Sequence, residues 1–527
     1  MAPVTSSAVA VSAPQPRKLR IGVFADSPLQ PRWVVEALGK LAASDFAVVR
    51  LVEAGSARVA PPSAPWRLYG ALDRKLFGGE PTELISLAES LGSSGPDAEL
   101  DVAFVLGEVD DSRLDGLARY GVWRFCFGAD GANGEAFAGI HEVADGEPLT
   151  ASGIKVRLAA DRPARLAYQS WSRTYPFSVV RNRDQLLQKT AEFAFRSLRE
   201  LHRSGEGWLS RCRELPQWSA AAERPGLGEL SRIVGRVATR GIERALHIEQ
   251  WFLAYRFGRS ASAGVPADLH GFTRLMPPKD RDWADPFVIE KNGRYFVFFE
   301  ELPYADRKAH ISMIELDKSG HMSAPQRVLE ADYHLSYPFL FEHEGQLYMV
   351  PESGRNRSVE LYRCVDFPLA WRLERVLIDG LRLVDATIHR GTGHGSGPDR
   401  WWMFANSAAG QSRVFDDELH LFHADRLLGD WKPHPKNPVK SDARSSRPAG
   451  RLFEREGALY RPAQICVPRY GAGLSLQRVT KLTTQDYVER QVERILPPAG
   501  SDLFGLHTLN RAGDLTVVDA FTRRRRF

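Results

Sequence analysis

A strand–turn–strand pattern recurs five times in the second half of the chain and limits its fold more than any other feature. The first copy runs from Trp283 to Glu301. An apolar strand begins at Asp285, Lys291-Asn292-Gly293-Arg294 forms the turn, and an aromatic strand returns to two glutamates. A glycine-containing polar turn between two apolar runs is typical of a β-hairpin. Equivalent positions in the five copies are Pro286, Pro338, Ala386, Pro448 and His507, which lie 52, 48, 62 and 59 residues apart.

One hairpin in every 50 or so residues is typical of β-propeller blades, whose outer strands come from the residues between hairpins. We therefore predict an all-β five-bladed β-propeller over residues 271–527. The alternative, a β-sandwich, would need neither similar spacing nor a repeated polar residue at one strand position.

The propeller prediction also locates a candidate site. Innermost strands line the central channel, so their equivalent residues converge on one mouth, and each hairpin brings the end of its second strand beside the start of its first. Core packing would favour apolar residues at these positions. For Asp285 and Asp385 taken singly, an alternative stays open, in which each carboxylate caps a strand start. The residues predicted at the rim are Asp285, Tyr337, Asp385, Arg447 and His507, with Glu300 or Glu301, Glu352, Asn406, Arg461 and Asp519.

The first half of the chain has a different pattern. Apolar strands at Leu19–Phe24, Phe46–Val52 and Leu100–Gly107 are separated by helical stretches such as Trp33–Ala43. Strands that alternate with helices predict a parallel sheet with helices on both faces, so residues 18–204 are predicted to be an α/β domain. No glycine-rich dinucleotide or phosphate-binding motif follows the first strand.

Residues 205–270 are predicted to form a helical connector. Apolar residues recur at helical spacing from Leu227 to Phe257, which predicts a helix packed on a neighbouring domain. The arginines near Trp251 and Tyr255 leave a second interpretation open, a helix on a membrane surface and hence a peripheral membrane association. Residues 1–17, rich in Ala, Pro, Ser and Val, are predicted to be a disordered leader.

Composition excludes several classes of protein. The formal charge of +5 is small for 527 residues and comes partly from the Arg523–Arg526 run, so we predict no nucleic-acid partner. The four cysteines form no CxxC pair and have no histidine at ligand spacing, so neither a disulfide framework nor a structural metal is expected. No window approaches the roughly 18 apolar residues of a membrane span, and no signal peptide is recognisable, which predicts a cytoplasmic protein.

The first half resembles the Rossmann-type core of formyltransferases. The likeness rests on a Gly-Val-Trp strand at Gly121, a glycine-rich loop before Ile140–Val143 and an Arg181-Asn182-Arg183 turn. In that family an Asn, a His in an H-x-S-L-L-P turn and an Asp carry out formyl transfer. Phe125-Cys126-Phe127-Gly128 stands where the His turn is expected, so the resemblance implies a scaffold without formyl transfer. Asn133, His141 and Glu142 are the remaining polar pocket candidates, with surface or structural roles favoured.

The second half resembles the propeller at the N-terminus of plant glucosamine inositolphosphorylceramide transferases and of bacterial relatives. The phrases that carry the likeness are ADPFVIEKNGRYFVFFEE, SYPFLFEHEGQLYMVPES, NRSVELYRC and VDATI. The five-bladed furanosidase and fructosidase glycoside hydrolases are also similar. In them a first-blade Asp is base or nucleophile, a second-blade Asp tunes a pKa, and a third-blade Glu is the acid. Asp285 matches the first role, whereas Tyr337 replaces the second-blade Asp and Asp385 begins the third blade.

The resemblance implies a carbohydrate-active enzyme of glycan or glycolipid assembly that transfers a glycosyl unit to a sugar or glycolipid. A nucleotide sugar is the expected donor, and no metal or other cofactor is expected. Asp285 is predicted to be base or nucleophile, Glu352 the acid and Asp385 a transition-state or pKa partner. Two alternatives remain, a furanosidase-like hydrolase and a non-catalytic sugar-binding scaffold. The predicted substrate-binding residues are Glu301, Tyr337, Asn406, Arg447, Arg461, His507 and Asp519.

Overall fold

The structure is a computed structural model that describes residues 17–55, 63–78, 83–91, 99–129, 138–159, 161–215, 225–258, 269–393, 399–410 and 412–526. An α/β half comes first and a β-propeller follows. Residues 1–16 of the predicted leader and the pocket candidate Asn133 lie outside the described residues. Within the described ranges, no helix is both long and apolar enough to cross a membrane.

The first half is built around one sheet with seven described strands, in the order β3-β1-β5-β6-β7-β8-β9, while β2 and β4 form a separate ribbon. The described strands are β1 (Leu19–Ala25), β2 (Leu29–Pro31), β3 (Ala47–Ala54), β4 (Leu84–Ser86), β5 (Val102–Leu106), β6 (Val122–Phe127), β7 (Leu149–Arg157), β8 (Ala164–Arg173) and β9 (Arg213–Leu215). The described helices are α1 (Arg32–Ala42), α2 (Ala64–Phe77), α3 (Leu87–Leu91), α4 (Ile140–Asp145), α5 (Val179–Ser204), α6 (Glu206–Leu209) and α7 (Leu227–Leu246).

The predicted parallel strands form only one side of this sheet. Strands β3, β1, β5 and β6 pair in parallel, and β7, β8 and β9 continue the sheet antiparallel. Successive residues of β5 face opposite sides of the sheet and belong to two different apolar clusters. On one face Phe104 packs with α1 and α5, and on the other Val105 packs with Leu114 and Ala118. The expectation of helices on both faces is therefore wrong for this strand, because a short 3-10 turn and a loop cover its second face.

Helix α5 begins at Val179, just before the segment where the sequence indicated a turn. The Ser178 hydroxyl caps it by accepting the Arg181 backbone N–H at 3.0 Å. The expected Arg181-Asn182-Arg183 turn is thus wrong, because these residues form the first turn of the helix. The likeness to formyltransferases stays a prediction.

The single helix predicted from Leu227 to Phe257 is wrong in its second part. Helix α7 ends at Leu246, and β10 (His247–Phe257) follows at once, with β11 (Thr273–Leu275) beside it. Apolar residues three to five positions apart fit a helix, but the β-branched and aromatic run HIEQWFLAYRF favours a strand. Residues 247–257 therefore belong to the propeller and not to a connector.

The second half is a five-bladed β-propeller. Its first four sheets follow one another along the chain, and the fifth is built from both ends. Blade 1 contains β12 (Arg281–Lys291), β13 (Arg294–Pro303), β14 (His310–Leu316) and β15 (Gln326–Leu329); blade 2 contains β16 (Ser336–His343), β17 (Gln346–Glu352), β18 (Ser358–Asp366) and β19 (Ala370–Asp379); blade 3 contains β20 (Val384–Gly391), β21 (Arg400–Asn406), β22 (Glu418–Ala424), β23 (Lys432–Pro433) and β24 (Lys440–Ser441); blade 4 contains β25 (Phe453–Arg455), β26 (Ala458–Ile465), β27 (Gly473–Leu482) and β28 (Tyr487–Ile495).

Blade 5 closes the ring by joining the two ends of the propeller. It contains β29 (Leu503–Gly505), β30 (Leu509–Ala512) and β31 (Leu515–Arg525) together with β10 and β11. Strand β31 pairs with β10 along the whole length of β10, from His247 opposite Arg525 to Phe257 opposite Leu515. Closure of this kind leaves no open edge between the first blade and the last.

A backbone irregularity recurs at the start of three inner strands. Asp285, Tyr337 and Asp385 all have positive φ, at 53°, 42° and 53°, and the strand register shifts at each of them. A left-handed conformation is uncommon for such residues, and a bulge of this kind re-aims a side chain. The repeat therefore turns three polar side chains toward the centre of the ring. In blade 4 the expected strand from Ser446 to Phe453 is mostly irregular, and Pro448 makes only an isolated bridge to Ala463.

The two halves are joined by ion pairs between blade 3 and the α/β domain. Lys189 Nζ lies 2.7 Å from Asp417 Oδ2, and Arg196 Nη1 lies 2.6 Å from Glu418 Oε1. The two carboxylates are buried, at 2% and 0% side-chain exposure. Because unpaired charges at such positions would be costly, these pairs fix the two halves against each other.

Candidate active site

The candidate site begins at Asp385, on the bulge of blade 3. The Arg447 guanidinium donates to it twice, with Nε to Oδ2 at 2.5 Å and Nη2 to Oδ1 at 3.3 Å. The Gln464 amide also donates to Oδ2, at 2.9 Å. Glu352, at the end of β17, lies 3.8 Å from Arg447 Nη2. Blades 2 and 3 thus each contribute an acidic side chain to one cluster, and blade 4 contributes a basic one.

Glu352 is suited to carry a proton. Burial and the neighbouring Asp385 raise its pKa well above the usual range, although Arg447 acts in the opposite direction. Its side chain keeps 15% exposure, whereas Asp385 keeps 2%. A carboxyl with a raised pKa that still reaches solvent beside a more deeply buried acidic group is the arrangement expected of a general acid.

Asp285 lies in a second cluster with His507 and Asp519, formed by blades 1 and 5. Its Oδ1 accepts the Thr508 hydroxyl at 2.8 Å and lies 3.4 Å from His507 Nε2, and Asp519 Oδ2 lies 2.6 Å from His507 Nδ1. Burial raises the pKa of Asp285 to about 7. Burial opposes a charge on His507, but Asp519 and Asp285 outweigh it and raise the pKa of the imidazole to about 9.

The backbone around Asp285 is held by Asp519. Its Oδ2 accepts the Asp285 N–H at 2.8 Å, and its Oδ1 accepts the N–H groups of His507 and Thr508, both at 2.9 Å. The strand-cap alternative is therefore partly correct, because Asp285 Oδ2 accepts the Tyr337 N–H at 3.2 Å. Asp519 is a structural member of the ring, fully buried between blades 1 and 5.

These three residues are also the group that could hold a cation. One ligand atom from each of Asp285, His507 and Asp519 lies within 4.8 Å of the others. A metal needs a neutral imidazole, and a pKa of about 9 leaves His507 protonated at neutral pH. The Asp519 oxygens are also bonded to three backbone N–H groups. The residues fit an internal ion-pair network better than a metal site.

Two aromatic residues that the sequence did not indicate form one wall of the site. Tyr470 lies against Arg447, with 4.8 Å from the guanidinium carbon to the ring centroid. Trp251, on β10, lies 4.1 Å from the His507 ring and is also close to Tyr470. Gly471 has φ +62°, and a Cβ there would approach Trp251 to 2.7 Å, so this loop needs a glycine. Aromatic faces next to polar groups are common in sugar-sized pockets.

Several predicted rim residues lie elsewhere. Glu301 accepts hydrogen bonds from Ser312, Arg281 and Trp283 inside blade 1 and pairs with His310; burial opposes its charge, but these partners lower its pKa. The prediction of Glu301 at the rim is therefore wrong. Its neighbour Glu300 faces the centre, 3.1 Å from His334, and its charge is among those that raise the pKa of Asp285.

Arg461 is fully buried in blade 4, where it pairs with Glu489 at 2.8 Å and donates to the Ser445 and Ser446 carbonyls.

Tyr337 is also fully buried. Its hydroxyl contacts Thr387 at 2.9 Å and accepts the Gly450 N–H at 2.7 Å. Asn406 is buried too and donates to the Phe415 carbonyl at 3.1 Å. These three side chains join parts of the ring and present no free surface to a ligand.

The α/β domain reaches the site through Asp416. Arg173, at the end of β8, donates Nε to Asp416 Oδ2 at 3.0 Å, and Asp416 Oδ1 lies 3.7 Å from Arg447 Nη1. A chain of alternating charge thus runs from Arg173 through Asp416 and Arg447 to Asp385. The first half of the protein therefore supports the residue that holds the acidic cluster together.

Comparison with known proteins gives a match over the propeller. Residues 279–499 match the family model described as glucosamine inositolphosphorylceramide transferase 1, N-terminal. The resemblance inferred from the four sequence phrases is confirmed over this part of the chain. The matched residues cover blades 1 to 4 and leave out β10 and β31 of blade 5.

Curated relatives are similar over the same part. Glucosamine inositolphosphorylceramide transferase 1 of Oryza sativa subsp. japonica is 35% identical over 209 residues, which are 39% of this chain and 27% of the relative. The protein of the same name from Arabidopsis thaliana is 33% identical over 214 residues, 40% of this chain and 27% of the relative. The chain thus spans about a quarter of the length of the curated relatives it matches.

The solved structures that are similar to this chain include glycoside hydrolase propellers. The match to the catalytic domain of a Coprinopsis cinerea GH62 α-L-arabinofuranosidase covers 46% of this chain and 92% of that chain, with 12% identity and a TM-score of 0.36. The match to a family 117 glycoside hydrolase of Zobellia galactanivorans covers 52% of this chain and 90% of that chain, with 12% identity and a TM-score of 0.33.

Proposed function

We propose that this protein is a carbohydrate-active enzyme that transfers a glycosyl unit to a sugar or glycolipid acceptor at the mouth of the propeller. The observation that carries the proposal is the cluster of Glu352, Asp385 and Arg447. It combines a carboxyl whose pKa is raised well above the usual range with a second carboxyl paired to a guanidinium. Cleavage of a glycosidic bond uses two such groups, one to protonate the leaving oxygen and one to stabilise the positive charge that develops on the sugar.

In this proposal Glu352 is the general acid, which protonates the departing phosphate oxygen of a nucleotide-sugar donor as the bond between that oxygen and the sugar breaks. Asp285 is the base, which takes the proton of the acceptor hydroxyl as the acceptor oxygen bonds to the sugar. A pKa of about 7 leaves Asp285 partly ionised at neutral pH, which is the range in which a general base works best. Asp385 stays buried and stabilises positive charge. Trp251 and Tyr470 provide faces against which a sugar ring can stack.

The acceptor class follows from the matched relatives. Their name refers to inositolphosphorylceramide, a lipid that carries a phosphate. We propose a glycolipid or lipid-linked sugar as the acceptor and a nucleotide sugar as the donor. We also propose a cytoplasmic location, since all four cysteine side chains are free thiols, as is usual in a reducing compartment.

The test is turnover by the purified full-length protein. The protein is incubated with a panel of nucleotide sugars and glycolipid acceptors, and products are followed by mass spectrometry. We expect a glycosylated acceptor, with loss of at least about a hundredfold in rate for Asp285→Asn and for Glu352→Gln. The proposal fails if no donor is consumed, or if both variants match the wild type.

A furanosidase-like hydrolase is the second candidate, favoured by the same raised pKa of Glu352. In that case water replaces the acceptor, and reducing sugar is released from an oligosaccharide panel without any donor. A non-catalytic sugar-binding scaffold is the third. It predicts binding that survives both substitutions, with no product from any substrate.

A further inference from the structure

Helix α7 presents its apolar side to solvent. Leu227, Val234, Ile242 and Leu246 are 66%, 54%, 64% and 51% exposed. They lie on one side of the helix, where Gly235, Ala238, Gly241 and Ala245 are also exposed. No Asp, Glu, Lys or Arg shares this arc at 3.6 residues per turn. Surface helices of globular domains normally point such a side toward the core.

The charged side of α7 is bonded to the protein instead. Arg236 donates to the Val143 and Ala144 carbonyls at 2.5 and 3.2 Å, and Arg232 donates to Asp145 at 2.7 Å. Buried Ile233 is the main apolar contact of the helix with the domain. The orientation is therefore fixed by specific hydrogen bonds, and the apolar side cannot rotate inward without breaking them.

Helix α2 lies against the start of α7 and has an exposed apolar row of its own. The Trp66 indole donates to the Gly226 carbonyl at 3.2 Å, and Trp66 shares an apolar cluster with Ile233. Leu68, Leu72 and Leu76, spaced four residues apart, are 75%, 54% and 64% exposed. Arg67, Arg74 and Lys75 flank this row and are exposed as well.

A basic cleft of about 280 Å³ begins at the end of α7. Arg240, Arg244, Arg523 and Arg526 line it, together with two glutamates, so its charge is positive. The glutamates pair with Arg240 and Arg523, whereas the Arg526 side chain donates to the Arg244 carbonyl. Arg244 and Arg526 are its exposed arginines, and Arg244 is two residues from Leu246, where the apolar arc ends.

We propose that the outward faces of α2 and α7, with this cleft, form a docking surface for a membrane that contains anionic phospholipid. Leucine-rich helix faces flanked by Lys and Arg bind at the level of the headgroups, and each basic residue there adds attraction to anionic lipid. A second copy of the chain fits less well, because a two-fold contact would bring the same arginines and lysines close to each other. This surface differs from the Trp251 and Tyr255 helix surface that the sequence left open as a second interpretation, since those residues lie in β10.

The proposal does not depend on which sugar is transferred, and vesicle flotation tests it without any turnover. Full-length protein is mixed with vesicles of phosphatidylcholine alone or with about one third phosphatidylglycerol. We expect flotation only with the anionic vesicles, weakened by high salt. The variants Ile242→Glu and Leu72→Glu should each reduce the bound fraction about tenfold, because each places a negative charge in the contact.

Leu373→Glu is the matched control, since Leu373 is 47% exposed on the outer strand β19 of blade 2. It should float like the wild type. Circular dichroism confirms that every variant is folded. The proposal is overturned if wild-type protein does not float with anionic vesicles, or if Ile242→Glu and Leu72→Glu float as well as the control. It is also overturned if ultracentrifugation without vesicles shows a dimer that Ile242→Glu converts to monomer, since a second copy would then cover the surface.

Discussion

Arg447 of blade 4 donates its Nε to Asp385 of blade 3 across 2.5 Å, and the same guanidinium lies 3.8 Å from Glu352 of blade 2. One cation therefore holds two acidic groups of different character, one a carboxylate and the other inclined to keep its proton. The arrangement depends on the ring, because the three residues belong to three different sheets.

Removing this cation should destabilise the protein. In Arg447→Met, buried Asp385 loses its counter-charge, and we expect the free energy of unfolding to fall by about 3–5 kcal/mol, as for other broken buried pairs. Urea unfolding measures it. The control is Arg363→Met, which removes a partly exposed pair with Glu374 and should cost no more than about 1 kcal/mol. Equal stability of Arg447→Met and wild type would show that Asp385 does not depend on Arg447.

The rate of sugar transfer should rise with pH through about 7. Asp285 must be ionised to act as the base, and burial raises its pKa to about 7. The pH profile of kcat/KM measures this dependence. In Asp285→Asn the residual rate should no longer rise in that range. A wild-type profile that is flat from pH 5 to 8 would exclude Asp285 as the base.

Stability should change with pH because of His507. Its pKa is about 9 in the folded protein, above its ordinary value of 6.5, since Asp519 and Asp285 outweigh the effect of burial. The stabilisation is complete below the unfolded value and is lost as pH rises from about 6.5 through 9. We expect the urea midpoint to fall over this range, and less steeply in His507→Gln. An unchanged slope in that variant would contradict the assignment.

The α/β domain should influence the site through Arg173. In Arg173→Met, Arg447 is the one ion-pair partner left to Asp416 among the described residues, and Asp416 should draw it away from Asp385, so kcat should fall about tenfold or more. Lys189→Met is the comparison, because it breaks an interdomain pair that does not reach Arg447. It should lower stability and leave kcat close to wild type. Equal kcat values in the two variants would rule out the link.

Tyr337→Phe tests whether this hydroxyl serves the fold or the substrate. Without it, the buried Gly450 N–H has no acceptor, and the free energy of unfolding should fall by about 1–3 kcal/mol. KM for the sugar substrates should not change. A large rise in KM with unchanged stability would instead support the substrate-binding role expected from the sequence.

The hairpin repeat predicts the blade number and the convergence of Asp285, Asp385 and Arg447, because position along a repeat fixes position around a ring. It does not predict which side chain at a strand end faces the channel. The direction of side chains alternates residue by residue, and each bulge inserts an extra residue. The sequence therefore leaves open whether Glu300 or Glu301 faces the centre, and in the structure it is Glu300.

The aromatic wall was missed for two different reasons. Trp251 stands at a spacing that also fits a helix, and its strand pairs with the far end of the chain, so no neighbouring hairpin marks it as part of a blade. Tyr470 is on a loop outside the repeat. Side chains of this kind are brought to a site by tertiary contacts, and only the run of β-branched and aromatic residues around Trp251 indicated a strand.

The pairing of β10 with β31 also has a consequence for synthesis of the protein. Leu253 pairs with Asp519, so β10 leaves the ribosome long before its partner exists. Blades 1 to 4 can form in sequence before β10 has its partner. The pairing of β10 with β31, which closes the ring, joins the two described strands of the propeller that are farthest apart along the chain. In chains interrupted before residue 515, the apolar edge of β10 that pairs with β31 would be exposed. Chaperones bind exposed edges of this kind, and such edges also cause aggregation.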